Sequence, residues 1–263
     1  MKYGGYNEIH ISTVTYPDIL KDKTILVTGG SSGIGFEIAK KCADCGAKVI
    51  ITGRNMGKLE SAAKKIDGCQ YLVWDIKDTD DLNGKLNRVI DLAGGRIDCL
   101  VNNAGIQPKE FFPNVSEKEW EEIYNTNSKG AFFLSQEICK RWLNKGDDGT
   151  NRKILFIDSQ GGFVGATYPY RMVKWDIRGL VQGLGLKMAP HHILVNAIAP
   201  GVVKTEMQKF SLEQGENTFC DQNPLRRVCL PEEVAELAVF MLSDACTFMV
   251  GQTIVLDGGY SIK

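Results

Sequence analysis

Thr24-Ile25-Leu26-Val27-Thr28-Gly29-Gly30-Ser31-Ser32-Gly33-Ile34-Gly35 is the stretch on which the fold turns: a β-forming run passes directly into a glycine-rich turn, and the turn opens a helical pattern from Ile34 to Cys45. Aliphatic and β-branched residues read as a strand. Glycines let the backbone come close to a bound group, and a helix amino end offers free amides with partial positive charge. The combination is a seat for a pyrophosphate. Its spacing, Gly-x-x-x-Gly-x-Gly, differs from Gly-x-Gly-x-x-Gly, so taken alone it is equally a tight strand-to-helix turn.

Working outward, similar short runs recur at Ala47 to Thr52, Gln70 to Trp74, Ile97 to Val101, Lys153 to Ile157, Leu194 to Ile198 and Thr253 to Leu256, with longer helical patterns between them. Strands alternating with helices predict an α/β fold with a parallel sheet, and near-continuous hydrophobicity predicts helices on both faces, the Rossmann-type doubly wound arrangement. In such sheets ligands bind beyond the carboxyl ends of the strands, so the residues just past each run are the candidates for function.

The chain has 263 residues, 43% hydrophobic and 24% charged, which predicts one domain over residues 23–263 preceded by an arm at 1–22. A net charge of −1 provides no basic field for nucleic acid or anionic lipid, which points to a small-molecule partner. The first residues lack the pattern of a secretion signal, and the apolar stretch Leu237 to Leu256 is broken by Ser243, Asp244, Gly251 and Gln252, so a cytoplasmic protein without a membrane span is expected. Eight cysteines without a framework read as thiols in a reducing compartment, Cys42-Ala43-Asp44-Cys45 as a helix end, and His10, His191 and His192 as surface loop residues; no metal site is expected. Ser116 before Glu117 to Glu122 predicts an exposed helix start. The polar stretch around 204–227, with scattered Met207, Phe210, Leu212 and Phe219, is the candidate lid.

Tyr170-Arg171-Met172-Val173-Lys174 places a phenol and an ammonium four residues apart, hence on one helix face. A free tyrosine ionises near about pH 10, and a neighbouring cation favours its phenolate, which suits the pair to proton transfer near neutrality. Pro169 marks the first turn of that helix. Tyr168 is the rival phenol, but the residue four later is Met172.

The glycine turn and the Tyr170/Lys174 pair together resemble the short-chain dehydrogenase/reductase family in its compact single-domain form. The resemblance extends over nearly the whole chain after Lys23, through Asp75, Asn102-Asn103-Ala104-Gly105, Asn127, Ser159, Pro200-Gly201 and Thr205. It implies Tyr170 as general acid/base, Ser159 holding the reacting oxygen, Lys174 on the ribose hydroxyls, and Asn127 fixing a water that connects Lys174 to solvent. Cofactor contacts are implied for Gly29, Ser31, Ser32, Gly33, Ile34 and Gly35 in the turn, for Asp75 and Ile76 at the adenine, and for Asn103, Ala104, Gly105, Pro200, Gly201, Val203 and Thr205. For Asp75 a turn-capping role is the alternative, and for Asn127 a local hydrogen bond within its helix.

Past the second strand, where an acid would select NAD, stands Gly53 followed by Arg54; the guanidinium, with help from Ser31, Ser32 and Asn55, predicts NADP(H) over NAD(H). Stacking on the adenine or facing solvent are the other readings of Arg54. Ser159 and Tyr170 are closer in the chain than is usual in the family, so the intervening loop would shape the substrate pocket differently. The expected activity interconverts a secondary alcohol and a ketone, with a polar, sugar- or polyol-type carbonyl compound favoured by the polar lid. A 3-oxoacyl thioester is the alternative substrate, and a non-catalytic dinucleotide-binding regulator the alternative class. The family also implies a dimer or tetramer formed through the helices of Asn127 and Tyr170; Ala131, Phe132, Phe133, Leu134 and Ile138 suit either that interface or the core.

Overall fold

The computed structural model describes residues 16–146, 149–206 and 220–262. The arm therefore lies largely outside the described residues, as do His10 and the lid residues Met207, Phe210, Leu212 and Phe219.

The element order is β1 (Thr24–Thr28), α1 (Gly33–Asp44), β2 (Lys48–Gly53), α2 (Met56–Ala63), β3 (Gln70–Val73), α3 (Leu82–Leu92), β4 (Cys99–Asn102), α4 (Glu117–Tyr124), a π-helical turn (Asn125–Lys129), α5 (Gly130–Lys145), β5 (Arg152–Ile157), α6 (Pro169–Met188), β6 (Ile193–Pro200), α7 (Pro231–Leu242) and β7 (Thr253–Leu256). The strands form one parallel seven-stranded sheet in the order β3-β2-β1-β4-β5-β6-β7. β1 and β4 are spatial neighbours although two strands separate them in sequence, so their connections leave on opposite sides and open a crevice at their carboxyl ends.

Strand periodicity sorts the core into two layers. Ile25, Val27, Val49, Ile51, Val101, Leu155 and Ile157 pack with Ile38 and Ala39 of α1 and Val234 and Ala238 of α7. The alternate residues Leu26, Ile50, Leu100, Ile154 and Phe156 pack with Val89 of α3, Leu134 and Ile138 of α5, and Val173 and Ile177 of α6. Phe156 is 1% exposed, and truncating such a ring to alanine costs about 3–5 kcal/mol. A helix on each face of a parallel sheet is the predicted α/β architecture.

Strand edges differ from the predicted runs where side chains intervene. Pairing on β4 begins at Cys99 rather than Ile97, since the Ile97 carbonyl accepts from Trp142 Nε1 at 2.8 Å and the Asp98 carboxylate accepts from the Thr24 amide at 2.8 Å. Helix starts follow the sequence signals. Ser116 Oγ accepts the Glu119 amide at 3.2 Å at the start of α4, Asn55 Oδ1 accepts the Lys58 amide at 2.9 Å at the start of α2, and Pro169 opens α6.

β5 buries two charged residues, Arg152 and Lys153. Lys153, 2% exposed, donates from Nζ to the carbonyls of Met241 (3.2 Å), Ser243 and Cys246 (2.6 Å), closing the carboxyl end of α7. Burial lowers the proton affinity of this amine. All eight cysteines are free, and burial pushes the Cys99 thiol up to about 12, so it stays protonated and unreactive near neutrality. Among the described residues no group of side chains is arranged to hold a metal ion, and no helix is long and apolar enough to cross a membrane.

Candidate active site

A cleft of about 340 Å³ opens at the carboxyl ends of the central strands. One end is made of backbone. Gly29 adopts φ +67° and passes so close to the β4 end that a Cβ there would lie 2.9 Å from the Ala104 Cα. Gly35 is tighter still: an added Cβ would sit 2.3 Å from Asn103 Nδ2 and 2.5 Å from the Gly29 carbonyl. The Asn103 amide explains that crowding, for it donates to the carbonyls of Thr28 (2.9 Å) and Gly29 (3.2 Å) and so sets the shape of the turn. Thr28 completes the joint. Its hydroxyl accepts from the amides of Asn103 and Ala104, both at 3.1 Å, and donates to Val101.

This end fits the pyrophosphate of a dinucleotide on two observations. Side chains are absent where an anion must approach, and Ser32 at the start of α1 makes no side-chain cap bond, with no acidic residue in the first turn to occupy the amides. Ser31, Ser32, Gly33 and Ile34 line the cleft with Gly29. Arg54, Asn55 and Lys58 border it past β2, and Trp74, Asp75 and Ile76 past β3. Asp75 Oδ1 also accepts the Lys77 amide at 3.2 Å, so the turn-capping and cleft-lining readings of this residue hold together. Arg54 is exposed, and Asn55 Oδ1 is engaged in capping α2.

The other end of the cleft holds the proton-transfer candidates. Tyr170 and Lys174 both line it, with Lys174 Nζ 5.6 Å from the centre of the Tyr170 ring. Lys174 is buried and donates to the Ile157 carbonyl at 2.9 Å. Asn127 lies in the π-helical turn between α4 and α5, where the widened backbone lets its side chain leave the helix. Its Oδ1 accepts the Ile106 amide at 2.8 Å and its Nδ2 donates to the Ile106 carbonyl at 2.9 Å. Asn127 therefore clamps the chain that follows Gly105, instead of bonding within its own helix.

Ser159 stands next to the lining residue Asp158, its Oγ accepting the Gly161 amide at 3.1 Å. Thr205 crosses back to the glycine turn, its Cγ2 3.2 Å from where a Gly33 Cβ would lie. Asn103, Ala104 and Gly105 line the cleft. Four other candidates sit behind its walls. Gly35 packs on Asn103, Pro200 ends β6, and Gly201 donates to the Leu256 carbonyl at 2.9 Å against β7. Val203 is 4% exposed within the core.

Several lining residues were not singled out by sequence reasoning: Lys58, Trp74, Asp158 and Glu206. Lys58 and Glu206 form an ion pair at 2.9 Å across the cleft mouth. Lys58 lies one turn after Arg54 on the opening of α2, a spacing that could have drawn attention to it. Nothing local in sequence links Glu206 to it.

Beside Tyr168, a second and more open cavity of about 820 Å³ is lined by Phe112, Pro113, Trp120, Tyr168, Pro169 and Met172 among others. Phe111 meets Tyr168 edge to face at 5.0 Å between ring centres.

A family model described as enoyl-(acyl carrier protein) reductase matches residues 29–261. The chain is 32% identical to the 3-oxoacyl-[acyl-carrier-protein] reductase FabG of Aquifex aeolicus, over 91% of this chain and 98% of that one. It is likewise 32% identical to the gluconate 5-dehydrogenase of Gluconobacter oxydans, over 95% of this chain and 100% of that one. Among solved structures, the 3-ketoacyl-(acyl-carrier-protein) reductase of Brucella melitensis, complexed with NADH, superposes with a TM-score of 0.84 at 28% identity, covering 92% and 99% of the two chains.

Proposed function

Because the chain belongs to the short-chain dehydrogenase/reductase family of NAD(P)-dependent enzymes, we propose that it interconverts a ketone and a secondary alcohol with NADP(H), using Tyr170 as general acid/base. The substrate is a polar carbonyl compound of the sugar or polyol kind. The observation that carries the reading is the pairing of Tyr170 and Lys174 along one wall of a cleft whose other end is a backbone-lined seat for pyrophosphate.

A dinucleotide held by the glycine turn and Lys174 would supply, in its reduced form, the hydride for the carbonyl carbon. Tyr170 gives its phenolic proton to the carbonyl oxygen, so C=O becomes CH–OH, and takes it back in the oxidative direction. Ser159 donates a hydrogen bond to the same oxygen. Lys174, seated on the Ile157 carbonyl, holds the ribose hydroxyls and favours the phenolate by its charge. Asn127, clamped to Ile106, orients the water through which Lys174 regains a proton.

Preference for NADP(H) rests on Gly53, where no carboxylate stands to repel a 2′-phosphate, and on the cation of Arg54 beside it. We read residues 23–263 as one cytoplasmic domain. Assembly into a dimer or tetramer is part of the proposal. Ala131, Leu134 and Ile138 are buried in the core, whereas Phe132 and Phe133 are 40% and 37% exposed on α5, which leaves those two rings for a partner copy.

A screen of NADPH and NADH oxidation against ketones, ketoses and 3-oxoacyl thioesters tests the reading. Turnover of a polar carbonyl compound with kcat/KM at least about tenfold higher for NADPH is expected, since a hydrogen bond to a charged group contributes about 1.5–3 kcal/mol. A preference for NADH overturns the cofactor assignment. The second reading, a 3-oxoacyl thioester reductase, is favoured by the apolar cavity beside Tyr168, whose Phe112, Trp120 and Met172 suit an acyl chain. Turnover of thioesters and of no polar carbonyl selects it.

A further inference from the structure

Three acids line the cleft, Asp75, Asp158 and Glu206, and of these only Asp158 is enclosed, with a side-chain exposure of 0%. Its main-chain amide donates to Ile198 at 2.7 Å, fixing the residue at the end of β5. Neither carboxylate oxygen receives a hydrogen bond of good geometry from a described residue. Lys174 Nζ lies 4.0 Å from Oδ1. Arg178, one turn further along α6 and bonded to the Gly162 carbonyl, is the second cation acting on the group. Gly162 closes the space: a Cβ there would come within 3.1 Å of Asp158 Oδ2.

An enclosed carboxylate with no well-formed hydrogen bond is expensive to keep and is normally paired or replaced. Its position directly behind the Lys174 ammonium supplies a reason for keeping it. We propose that Asp158 is a positioning residue: with the Ile157 carbonyl it seats the Lys174 ammonium, and its state of charge sets how strongly that ammonium favours the Tyr170 phenolate. The inference rests on the assignment of Tyr170 as acid/base made above.

Burial pushes the Asp158 carboxyl up to about 7, against the opposing pull of Lys174 and Arg178 and of the nearby Ser159 amide, so the group changes charge within the working range of an enzyme. Lys174 and Arg178 are the charged groups α6 turns towards it. Beside it β6 offers Ala197, Ile198 and Ala199, and the turn that follows offers Gln160, Gly161, Gly162 and Phe163, none of which ionises. While Asp158 is protonated, the Lys174 charge acts on Tyr170 undiminished. Once Asp158 ionises, its negative charge offsets part of that field, and the phenolate is less favoured.

The test follows tyrosinate ultraviolet absorbance against pH in the full chain saturated with NADP+, for the unsubstituted protein, Asp158→Asn and Tyr170→Phe. Tyr170→Phe should remove the part of the rise that occurs at lowest pH. Asp158→Asn should move that part to lower pH by about one unit while leaving NADP+ affinity within about threefold. A curve for Asp158→Asn that superimposes on the unsubstituted one, with Tyr170→Phe still abolishing the early rise, overturns the role of Asp158. An early rise untouched by Tyr170→Phe overturns the Tyr170 assignment itself, and this proposal with it. Asp158→Ser carries the same expectation if the asparagine variant does not fold. In the unsubstituted protein, carbon-13 spectra of carboxyl-labelled aspartate should show one carboxyl titrating near 7, and the proposal fails if all titrate below about pH 5.

Discussion

The glycine-turn end of the cleft and the separate cavity beside Tyr168 are built from different materials. At the glycine turn the wall is main chain, held by Thr28 and Asn103 through four hydrogen bonds of 2.9–3.2 Å, and the space is so tight that Gly35 admits no Cβ. Beside Tyr168 the wall is side chain: Phe112 lines that cavity and is 75% exposed, and Phe111, packed on Tyr168, is 53% exposed. A ligand common to a whole family can be met by backbone, whose geometry does not change with the residue. The variable part of a reaction is met by exposed side chains, which change without disturbing the sheet.

Substitutions in the two regions should therefore fail in different ways. The largest effect belongs to Tyr170→Phe, which keeps the ring and removes the proton: kcat should fall at least about a thousandfold with cofactor affinity within a few-fold, measured by steady-state kinetics and calorimetric titration. Retained turnover there would mean that another acid serves the reaction. Next, Gly35→Ala should lower stability by about 2–3 kcal/mol, because the neighbours of the new methyl are an engaged amide and a carbonyl; calorimetry should register a fall of several degrees in Tm. An unchanged Tm would show that the turn is more yielding than its contacts imply, and would weaken the contrast between the two regions.

A smaller effect is expected for Arg54→Ala. KM for NADPH should rise about tenfold, with that for NADH almost unmoved, because an exposed guanidinium contributes through one charged contact rather than through packing. The smallest is Phe111→Ala, which should change KM for the carbonyl substrate by about threefold and leave the cofactor constants alone. Should Phe111→Ala disturb cofactor binding instead, the two regions would be coupled, and the division drawn above would not hold.

The same contrast explains what could be read in advance. The strand runs were legible because burial on both faces forces continuous aliphatic stretches, and Thr24–Thr28 and Thr253–Leu256 match their predicted limits. Ile97 misled at the start of β4 because its carbonyl goes to Trp142, a partner 45 residues away that no local pattern reveals. The Tyr170/Lys174 pair was legible because helical spacing alone puts the two on one face. Asn127 was read as a site residue, but its clamp on Ile106 depends on a π-helical turn that has no sequence signature here. Asp158 went unread as a participant, since an aspartate after a strand looks like a turn residue until the structure encloses it beside Lys174.

Lys153 ties β5 to the far end of the chain. Its ammonium closes the carbonyls of residues 241, 243 and 246, so α7 cannot detach without leaving a charge stranded between hydrophobic layers. The segment after β6 is thereby joined to the middle of the sheet by polar bonds as well as by packing. Hydrogen exchange should find the amides of α7 opening together with those of β5, as a single cooperative block, and a chain shortened before Met241 should lose β5 rather than only its tail.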